Sequence, residues 1–293
     1  MLDFFRVMIE GVEPEGSFFQ FYWSPGTHIG EAIESVLGAC VRIGIENPIA
    51  READYFEFDS LPEDAVEDKR LKIWYMQERY RFPSEKSFIA PLGIISSSQI
   101  GENDYELLKE GFSRWTTEEG IYELEAAIER GRLFNTFVEL MARLPSIKVF
   151  WIRLAPDWEY QDREEFWTNE KLDSAEAITS FLTSHSDDTF ANGYVGLTAY
   201  SDVGQTNLTI DTHKTIKVLT KSVNVQEAAA AALQSLGFEE LPEFHSLEYR
   251  YYHWHYRPTR SKSRSKLIAA LKKWGFSLWK EHKVEPELTS TPD

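Results

Sequence analysis

The chain has 293 residues, which is enough for one large domain or two of ordinary size. Its 42% hydrophobic and 14% aromatic residues provide the apolar surface of a packed core, which excludes a disordered chain. No apolar run reaches the ~20 residues that cross a bilayer, and the single cysteine, Cys40, excludes an intrachain disulfide and is expected to be a core residue on a helix. The acidic N-terminus lacks the basic region of a signal peptide. These features predict a cytoplasmic protein without a membrane anchor.

The charge is unevenly distributed. The whole chain carries −17, but residues 257–283, the basic segment, hold nine lysines and arginines and one glutamate. The basic segment therefore carries +8 and the remainder −25. A body this acidic repels nucleic acid and attracts a basic protein. We therefore expect a basic protein partner and no nucleic acid.

Residues 1–145 are predicted to form an N-terminal α+β module. Apolar and aromatic runs predict strands over residues 18–23, 55–59 and 71–80. Helical spacing predicts helices over residues 28–45, about 104–115 and 117–144. The acidic stretch 60–69 is expected to be an exposed loop, and Pro91 limits residues 87–96 to an edge strand or a loop.

Residues 146–283 are predicted to form a second module. Strands are predicted over residues 147–155, 194–200, 207–221 and 246–256, the third broken near His213. Helices are predicted over residues 175–185, 225–236 and 263–274. The first six elements follow the β-α-β-β-α-β order of a ferredoxin-like fold, an antiparallel sheet with both helices on one face. The charged residues 157–171 are expected to form a loop, and residues 284–293 a loose tail.

Two predicted helices share part of their sequence. GEAIESVLGA (Gly30–Ala39) and AEAITSFLTS (Ala175–Ser184) have the same EAI triplet, serine and leucine at the same spacing. Amphipathic helices often resemble one another by chance, so the N-terminal module is either a related copy of the second one or independent of it.

The stretch YRYYHWHYRP (residues 249–258) carries two histidines one residue apart. On a strand, His253 and His255 lie on one face with Cα atoms about 6.7 Å apart, so both imidazoles can reach one divalent ion. Asp211 and His213 have the same spacing and are further candidate ligands for zinc or manganese. In the ferredoxin-like order, however, their strand lies about 10 Å from the histidine pair. The pair predicts either a metal centre or, without any cofactor, part of an aromatic surface.

The same strand also predicts a recognition surface, if the helices cover its other face. The residues of the open face are then Tyr249, Tyr251, His253, His255 and Arg257. Aromatic residues and arginine anchor protein interfaces, and some ferredoxin-like modules stack RNA bases on such a face. The negative charge of the chain counts against RNA.

A cluster of cations surrounds Ser263, the predicted N-cap of the last helix. Its members are Arg257, Arg260, Lys262, Arg264 and Lys266. A helix N-terminus with cationic neighbours can bind phosphate or carboxylate. We favour the alternative, in which these side chains neutralise the acidic body through surface ion pairs.

An acidic stretch with interleaved aromatic residues precedes the first predicted helix of the second module, residues 175–185. Its acids are Asp157, Glu159, Asp162, Glu164 and Glu165, and its aromatic residues are Trp158, Tyr160, Phe166 and Trp167. Such a stretch is a suitable footprint for a basic protein. Alternatively, it is a solvated loop whose aromatic residues anchor it to the core.

No glycine-rich phosphate loop, serine nucleophile elbow or HExxH zinc motif is present, so no catalytic residue is predicted. The composition favours a binding protein that acts by protein–protein contact, as bacterial immunity proteins do when they neutralise a basic toxin. The alternatives are a metal-dependent hydrolase or metal-binding protein that uses His253 and His255, and a protein that binds single-stranded RNA on an open sheet face.

Overall fold

Among the residues that the structure describes, two large antiparallel sheets, a two-stranded ribbon and five α-helices make up the fold. The computed structural model describes residues 3–13, 16–58, 61–81, 88–97, 108–156, 158, 163–247 and 252–283. The architecture is the α+β class that the sequence predicts. Within the described residues, no helix is long and apolar enough to cross a membrane. The predicted tail, residues 284–293, lies outside them.

The N-terminal sheet has six strands and carries one helix. The strands are β1 (Asp3–Glu13), β2 (Gly16–Gly26), β3 (Glu46–Tyr55), β4 (Ala65–Asp68), β5 (Ile73–Met76) and β6 (Tyr80–Arg81). Their order is β3-β1-β2-β5-β4, and β6 also pairs with β2. Helix α1 (Ile29–Arg42) covers one face, because its apolar stripe with Val36 and Cys40 packs with Val7 and Tyr22.

Helix α1 begins where the sequence predicts because its first turn is capped from both sides. The Nδ1 atom of His28 accepts a hydrogen bond from the backbone N–H of Glu31 (3.1 Å). In return, the Glu31 carboxylate accepts from the backbone N–H of Thr27 (2.7 Å) and from its hydroxyl group (2.6 Å). These bonds satisfy N–H groups that the start of a helix leaves free.

Three strands of this sheet differ from the sequence prediction, and one of them is β3, which covers Glu46–Tyr55 although a strand was predicted over residues 55–59. Strand β1 was not predicted, although it lies between β2 and β3, and β4 falls within residues 60–69, which were expected to form an exposed loop. Polar residues such as Arg6 and Glu10 interrupt the apolar run of β1 at the period of a strand, and both of these side chains remain partly exposed. The acidic character of the N-terminus masked this alternation.

The second sheet has eight strands, and a ribbon lies beside it. The strands are β8 (Gly111–Thr116), β9 (Tyr122–Ala127), β10 (Val149–Leu154), β11 (Arg163–Thr168), β12 (Val195–Ser201), β13 (Thr206–Ile210), β14 (Ile216–Thr220) and β16 (Ser277–Lys283). Their order is β16-β11-β10-β12-β13-β14-β9-β8. The ribbon pairs β7 (Ile94–Ser97) with β15 (Tyr252–His255).

The remaining helices all pack on one face of the eight-stranded sheet. They are α2 (Leu133–Ala142), α3 (Ala175–Ser184), α4 (Val223–Ser235) and α5 (Arg264–Lys273). Side chains such as Ile178 and Leu267 share one buried cluster with Phe150 and Ile152 of β10. Side chains alternate along a strand, so Trp151, between Phe150 and Ile152, points to the opposite face of the sheet. We call this opposite face the helix-free face.

The ferredoxin-like arrangement is not found. Residues 252–255 pair with β7 in the ribbon instead of joining the sheet as its fourth strand. The predicted strand 207–221 folds back at Asp211–Thr215 into the hairpin of β13 and β14, at the predicted break. Strand β11 comes from residues that were expected to form a loop, and β16, which pairs with it, comes from residues for which no element was predicted.

Strands β8 and β9 occupy residues that were predicted to be helical. The stretch YELEAA consists largely of good helix formers, which misled the local prediction. Its side chains instead alternate between the two faces of the sheet, because Leu124 and Ala126 belong to the core beneath the helices while Glu123 and Glu125 lie on the other face. Pairing of β9 with β14 decides the conformation here.

Two glycines allow the ribbon to dock against the eight-stranded sheet. The backbone N–H of Gly193 donates to the carbonyl of Tyr256 (2.9 Å), and the N–H of Tyr256 donates to the carbonyl of Gly93 (2.8 Å). A Cβ atom at Gly193 would overlap the Gly93 carbonyl, and Gly93 itself has a φ of +93°. This close approach positions His255 and Arg257 beside the second sheet.

Candidate functional site

A cleft of about 520 Å³ separates the N-terminal sheet from the C-terminal part of the chain. Its walls combine aromatic rings with charged groups, which include Arg6, Asp54, Tyr55, Trp158, Tyr194 and Arg257. Concave sites of this size with a few convergent polar groups are the usual places where proteins bind small molecules. The cleft is therefore the first candidate site.

Beside the cleft, two carboxyl groups of the N-terminal sheet lie next to Arg6 and Arg257. Glu52 and Asp54 lie on the same face of β3, and the strand register places Arg6 directly opposite Asp54. Arg257 donates to Asp54 (2.7 Å), and Arg6 lies 3.9 Å from Glu52. Burial, with a further contribution from Asp54, raises the pKa of Glu52 to about 8, although Arg6 and Arg257 oppose this. Glu52 therefore keeps its proton at neutral pH.

Arg257 connects the C-terminal part to the N-terminal sheet. Besides Asp54, its guanidinium donates to the carbonyl groups of Ala53 (3.3 Å) and Ser261 (3.1 Å). Arg257 is only 7% exposed. Burial of a guanidinium is tolerated here because carbonyl and carboxylate oxygens surround most of its N–H groups.

The opposite wall is built by stacked aromatic rings. The rings of Trp158 and Tyr194 are 5.5 Å apart and nearly parallel, with an angle of 8°. The Tyr194 hydroxyl donates to the carbonyl of His255 (2.9 Å), and burial raises the pKa of Tyr194 well above its usual range. This stack holds the wall in place next to the ribbon.

The N-terminus of α5 also borders the cleft. Its N-cap residue Ser263 lines the cleft, and the Ser263 side chain makes no capping hydrogen bond. The next residue, Arg264, is buried and donates to the carbonyl of Ala155 (2.6 Å), the carbonyl of Arg163 (2.8 Å) and the carboxylate of Glu165 (3.2 Å). Arg264 thus anchors the first turn of α5 to β11.

The basic segment lies on an acidic one. Residues 157–188, the acidic segment, hold ten carboxylates and two cations, a net charge of −8 against the +8 of the basic segment. Strand β16 pairs with β11, and ion pairs join Lys262 to Asp188 and Arg264 to Glu165. Arg260 borders a shallow pocket together with Asp187 and Asp188. The geometry thus supports the ion-pair interpretation of the cationic cluster for several of its members.

The histidines come closer together than the sequence predicted. The rings of His213 and His255 are 5.0 Å apart, and the expected separation of about 10 Å is wrong because β15 does not belong to the sheet. Asp211 lies 3.9 Å from His213 but only 3.0 Å from the ammonium of Lys217. In the part of the chain that the structure describes, no three His, Cys, Asp or Glu side chains could hold a metal ion. The side chain of His253 lies outside that part, so the metal centre stays a prediction.

A buried lysine next to these histidines escaped sequence analysis. Lys214 is 1% exposed, and its amino group donates to the carbonyls of Asn192 (2.7 Å) and Val195 (2.9 Å). Burial lowers the pKa of Lys214 to about 7, although Asp211 raises it. Nothing in the stretch TIDTHKTI distinguishes this lysine from an exposed one.

An aromatic row on the helix-free face of the second sheet is the second candidate site. Trp151 stacks on Tyr200 (6.3 Å) and on Trp279 (5.8 Å), and Phe166 meets Trp279 edge to face (6.3 Å). Trp279 is 60% exposed. The alternation of VFWIRL could have placed Trp151 on this face, but the pairing of β16 that completes the row is not local.

The residues of the predicted acidic footprint differ in their burial and in their contacts. Trp158 and Trp167 are buried, and Glu164 forms an ion pair with Arg153 on the helix-free face. Six other predicted surface residues lie outside the described residues: Asp157, Glu159, Tyr160, Asp162, Tyr249 and Tyr251.

Comparison of the chain with protein families, curated proteins and solved structures finds no match. Its function therefore has to be inferred from the cleft, the histidine cluster and the aromatic row.

Proposed function

We propose that this chain is a cytoplasmic binding protein that recognises a basic protein partner through the helix-free face of its second sheet. The observation that carries the proposal is the aromatic row of Trp151, Phe166, Tyr200 and Trp279, whose rings contact one another on that face. Tryptophan and tyrosine are the residues that most often dominate the binding energy of protein interfaces. Neutralisation of a basic toxin, as immunity proteins perform it, is one activity of this kind.

The charge of the chain supports a basic partner. Because the acidic and basic segments balance each other, the remaining residues carry the whole net charge of −17. Residues 1–81 alone contribute sixteen carboxylates and eight cations. This negative field attracts basic proteins. It repels the phosphate backbone of RNA, whose bases could otherwise also stack on the exposed aromatic rings.

A metal-dependent activity at His213 and His255 is less well supported. Their rings are close, but Asp211 is closer to Lys217 than to His213. Metal analysis of protein purified without a chelator or a histidine tag tests this alternative. One equivalent of zinc or manganese that disappears in the His213→Ala/His255→Ala variant would establish a metal site at these two histidines.

The protein-binding proposal is tested by comparing two single tryptophan variants. Trp279→Ala removes the most exposed member of the row, whereas the control Trp115→Ala removes a tryptophan of 41% exposure from β8, at the other edge of the same sheet. Affinity-tagged wild-type and variant chains are used to isolate partners from cell extract at low and high salt, and bound proteins are identified by mass spectrometry. A fluorescence titration with single-stranded RNA runs in parallel.

We expect a basic protein to bind the wild-type chain and the Trp115→Ala variant at low salt. It should be lost or reduced at least tenfold in Trp279→Ala, and it should bind more slowly as the salt concentration rises. The same set of bound proteins with all three chains would refute the role of the row. Tight binding of RNA by wild type but not by Trp279→Ala would replace the protein partner with a nucleic acid.

A further inference from the structure

We propose that the basic partner adds an extended segment to β16, the outer strand of the eight-stranded sheet, as one further strand. The inference rests on the proposed function and specifies how the partner is held. A row of outward backbone N–H and C=O groups is complementary to another extended chain, because only a second strand matches their spacing. Strand addition at an open sheet edge is a common way in which proteins recognise extended segments of other proteins.

The outer edge of β16 is open over most of its length. Strand β16 lies at the end of the sheet order, next to β11. Within the described part of the chain, residues 277–282 make backbone hydrogen bonds only to β11, and all seven side chains of the strand are exposed. In an edge strand, the backbone groups that do not face the neighbouring strand point outward. Strand β16 therefore presents these groups to solvent or to a partner.

The other three edges of the two large sheets are protected. At the edge strand β8, the backbone N–H and carbonyl of Phe112 bond to residues 239–241 (3.0 and 2.7 Å). The edge strand β3 contains Pro48, which has no N–H group, and Arg257 donates to its Ala53 carbonyl (3.3 Å). The fourth edge strand, β4, has only four residues. Such features keep sheet edges from pairing with other chains, so the open edge of β16 is an exception in this fold.

The charges of the chain disfavour a second copy of it as the added strand. Each copy carries −17, so two copies repel each other. Lysines on an edge strand also discourage pairing between identical edges, and β16 contains Lys280 and Lys283. Their side chains leave the strand toward the faces of the sheet, so they do not block its outward backbone groups. A strand from a protein of opposite charge is therefore favoured, in agreement with the basic partner.

A bulge connects this edge with the aromatic row. The two neighbours of Trp279 lie opposite adjacent residues of β11, so Trp279 is an extra residue on β16. Bulges redirect side chains, and Trp279 stacks on Trp151 on the helix-free face. Residues 280–283 keep a regular register with β11, so the edge beyond the bulge has the geometry of a strand. A segment added there would place alternate side chains beside Trp279.

Amide hydrogen exchange of the full chain, measured by mass spectrometry, tests the inference. The outward N–H groups of an open edge exchange rapidly, and pairing with an added strand slows them. One probe is the basic protein that the wild-type chain retains at low salt. The other is a synthetic basic peptide of alternating valine and lysine residues. Its control is the same peptide with every backbone nitrogen methylated, which keeps the side chains but removes the backbone donors. Residues 111–116 of β8 serve as the control edge.

We expect the basic protein and the unmodified peptide to slow the exchange of outward amides in residues 277–282 by at least about tenfold. The exchange of residues 111–116 should stay unchanged, because that edge is already bonded to the chain itself. The methylated peptide should leave the exchange of both regions unchanged.

Two results would overturn the inference. One is unchanged exchange of residues 277–282 with both probes. The other is equal protection by the methylated peptide, because side-chain contacts alone would then explain the effect. The proposed function would remain intact after either result if Trp279→Ala still loses the basic protein. Protection by the peptide without any retained basic protein would instead support pairing at this edge and refute the basic partner.

Discussion

Replacing Lys214 with methionine should change how the stability of the protein depends on pH. Lys214 is 1% exposed, and burial lowers its pKa from 10.5 to about 7. Between these two pH values the unfolded chain holds a proton on this lysine that the folded chain does not. The stability of the wild-type protein therefore rises with pH across this interval, by about 1.4 kcal/mol per pH unit from this residue alone.

The size of the effect follows from the same two pKa values. Below pH 7 the cost of burying the ammonium group is complete and corresponds to about 5 kcal/mol. Methionine keeps the length of the side chain and removes the charge, but it leaves the carbonyls of Asn192 and Val195 without their donor, which costs about 1–3 kcal/mol each. The absolute difference between the two proteins thus mixes two contributions, whereas its pH dependence isolates the proton.

Equilibrium urea unfolding at several pH values between 7.5 and 9.5 measures this dependence. We expect the difference in unfolding free energy between wild type and Lys214→Met to shift in favour of wild type by roughly 2–3 kcal/mol over the range. Lys221→Met is the control, because this lysine is exposed and should show no such trend. A constant difference between wild type and Lys214→Met would show that the buried amino group is not neutral above pH 7.

Three further predictions concern the cleft and the ribbon. In thermal melts, Glu52→Gln should become more stable relative to wild type as pH rises from 5 to 8. The pKa of Glu52 is about 8 in the folded protein, so over this range the carboxyl is ionised only in the unfolded chain, which favours unfolding of the wild type. Gly193→Ala should lower the unfolding free energy by at least about 3 kcal/mol in urea, because a Cβ atom there overlaps a backbone carbonyl, whereas Gly38→Ala, with open space around it in α1, should raise it by about 0.5–1 kcal/mol. Arg257→Ala should cost about 2–4 kcal/mol, and a double-mutant cycle with Asp54→Asn should give a coupling of about 1–3 kcal/mol; additive single effects would contradict the ion pair.

The sequence predicted those elements whose local pattern and tertiary contacts agree. Helices α3 and α4 and strands β10 and β12 lie close to their predicted residues, because their apolar spacing is that of the core they enter. The prediction was wrong for β9 because helix-forming residues occupy this strand, and only its pairing with β14 makes it a strand. The prediction missed β16 because all seven residues of this strand are exposed, so no alternation of apolar and polar residues indicates a strand.

The candidate sites depend on contacts that no local pattern encodes. The cleft assembles Arg6, Asp54, Trp158, Tyr194 and Arg257 from five separate stretches of the sequence. The predicted geometry of the histidines failed for the same reason, since it rested on the sheet position of β15. Of the predicted features, the cationic cluster around Ser263 borders the cleft through Arg257 and Ser263. The ion pairs of Lys262 and Arg264 support the favoured interpretation of the cluster, in which its cations neutralise acidic groups.

The balance between the acidic and the basic segment also changes how the proposed partner would be recognised. One of the two interpretations of the sequence was that the acidic stretch from Asp157 to Glu165 contacts a basic protein, but Glu164 and Glu165 pair with the chain's own arginines. In the proposed complex, long-range attraction would therefore come from the rest of the molecule, and the aromatic row would provide the contact. Charges remote from an interface mainly affect the rate of association, whereas buried aromatic anchors mainly affect dissociation. Salt should therefore slow the binding of the partner, while Trp279→Ala should shorten the lifetime of the complex.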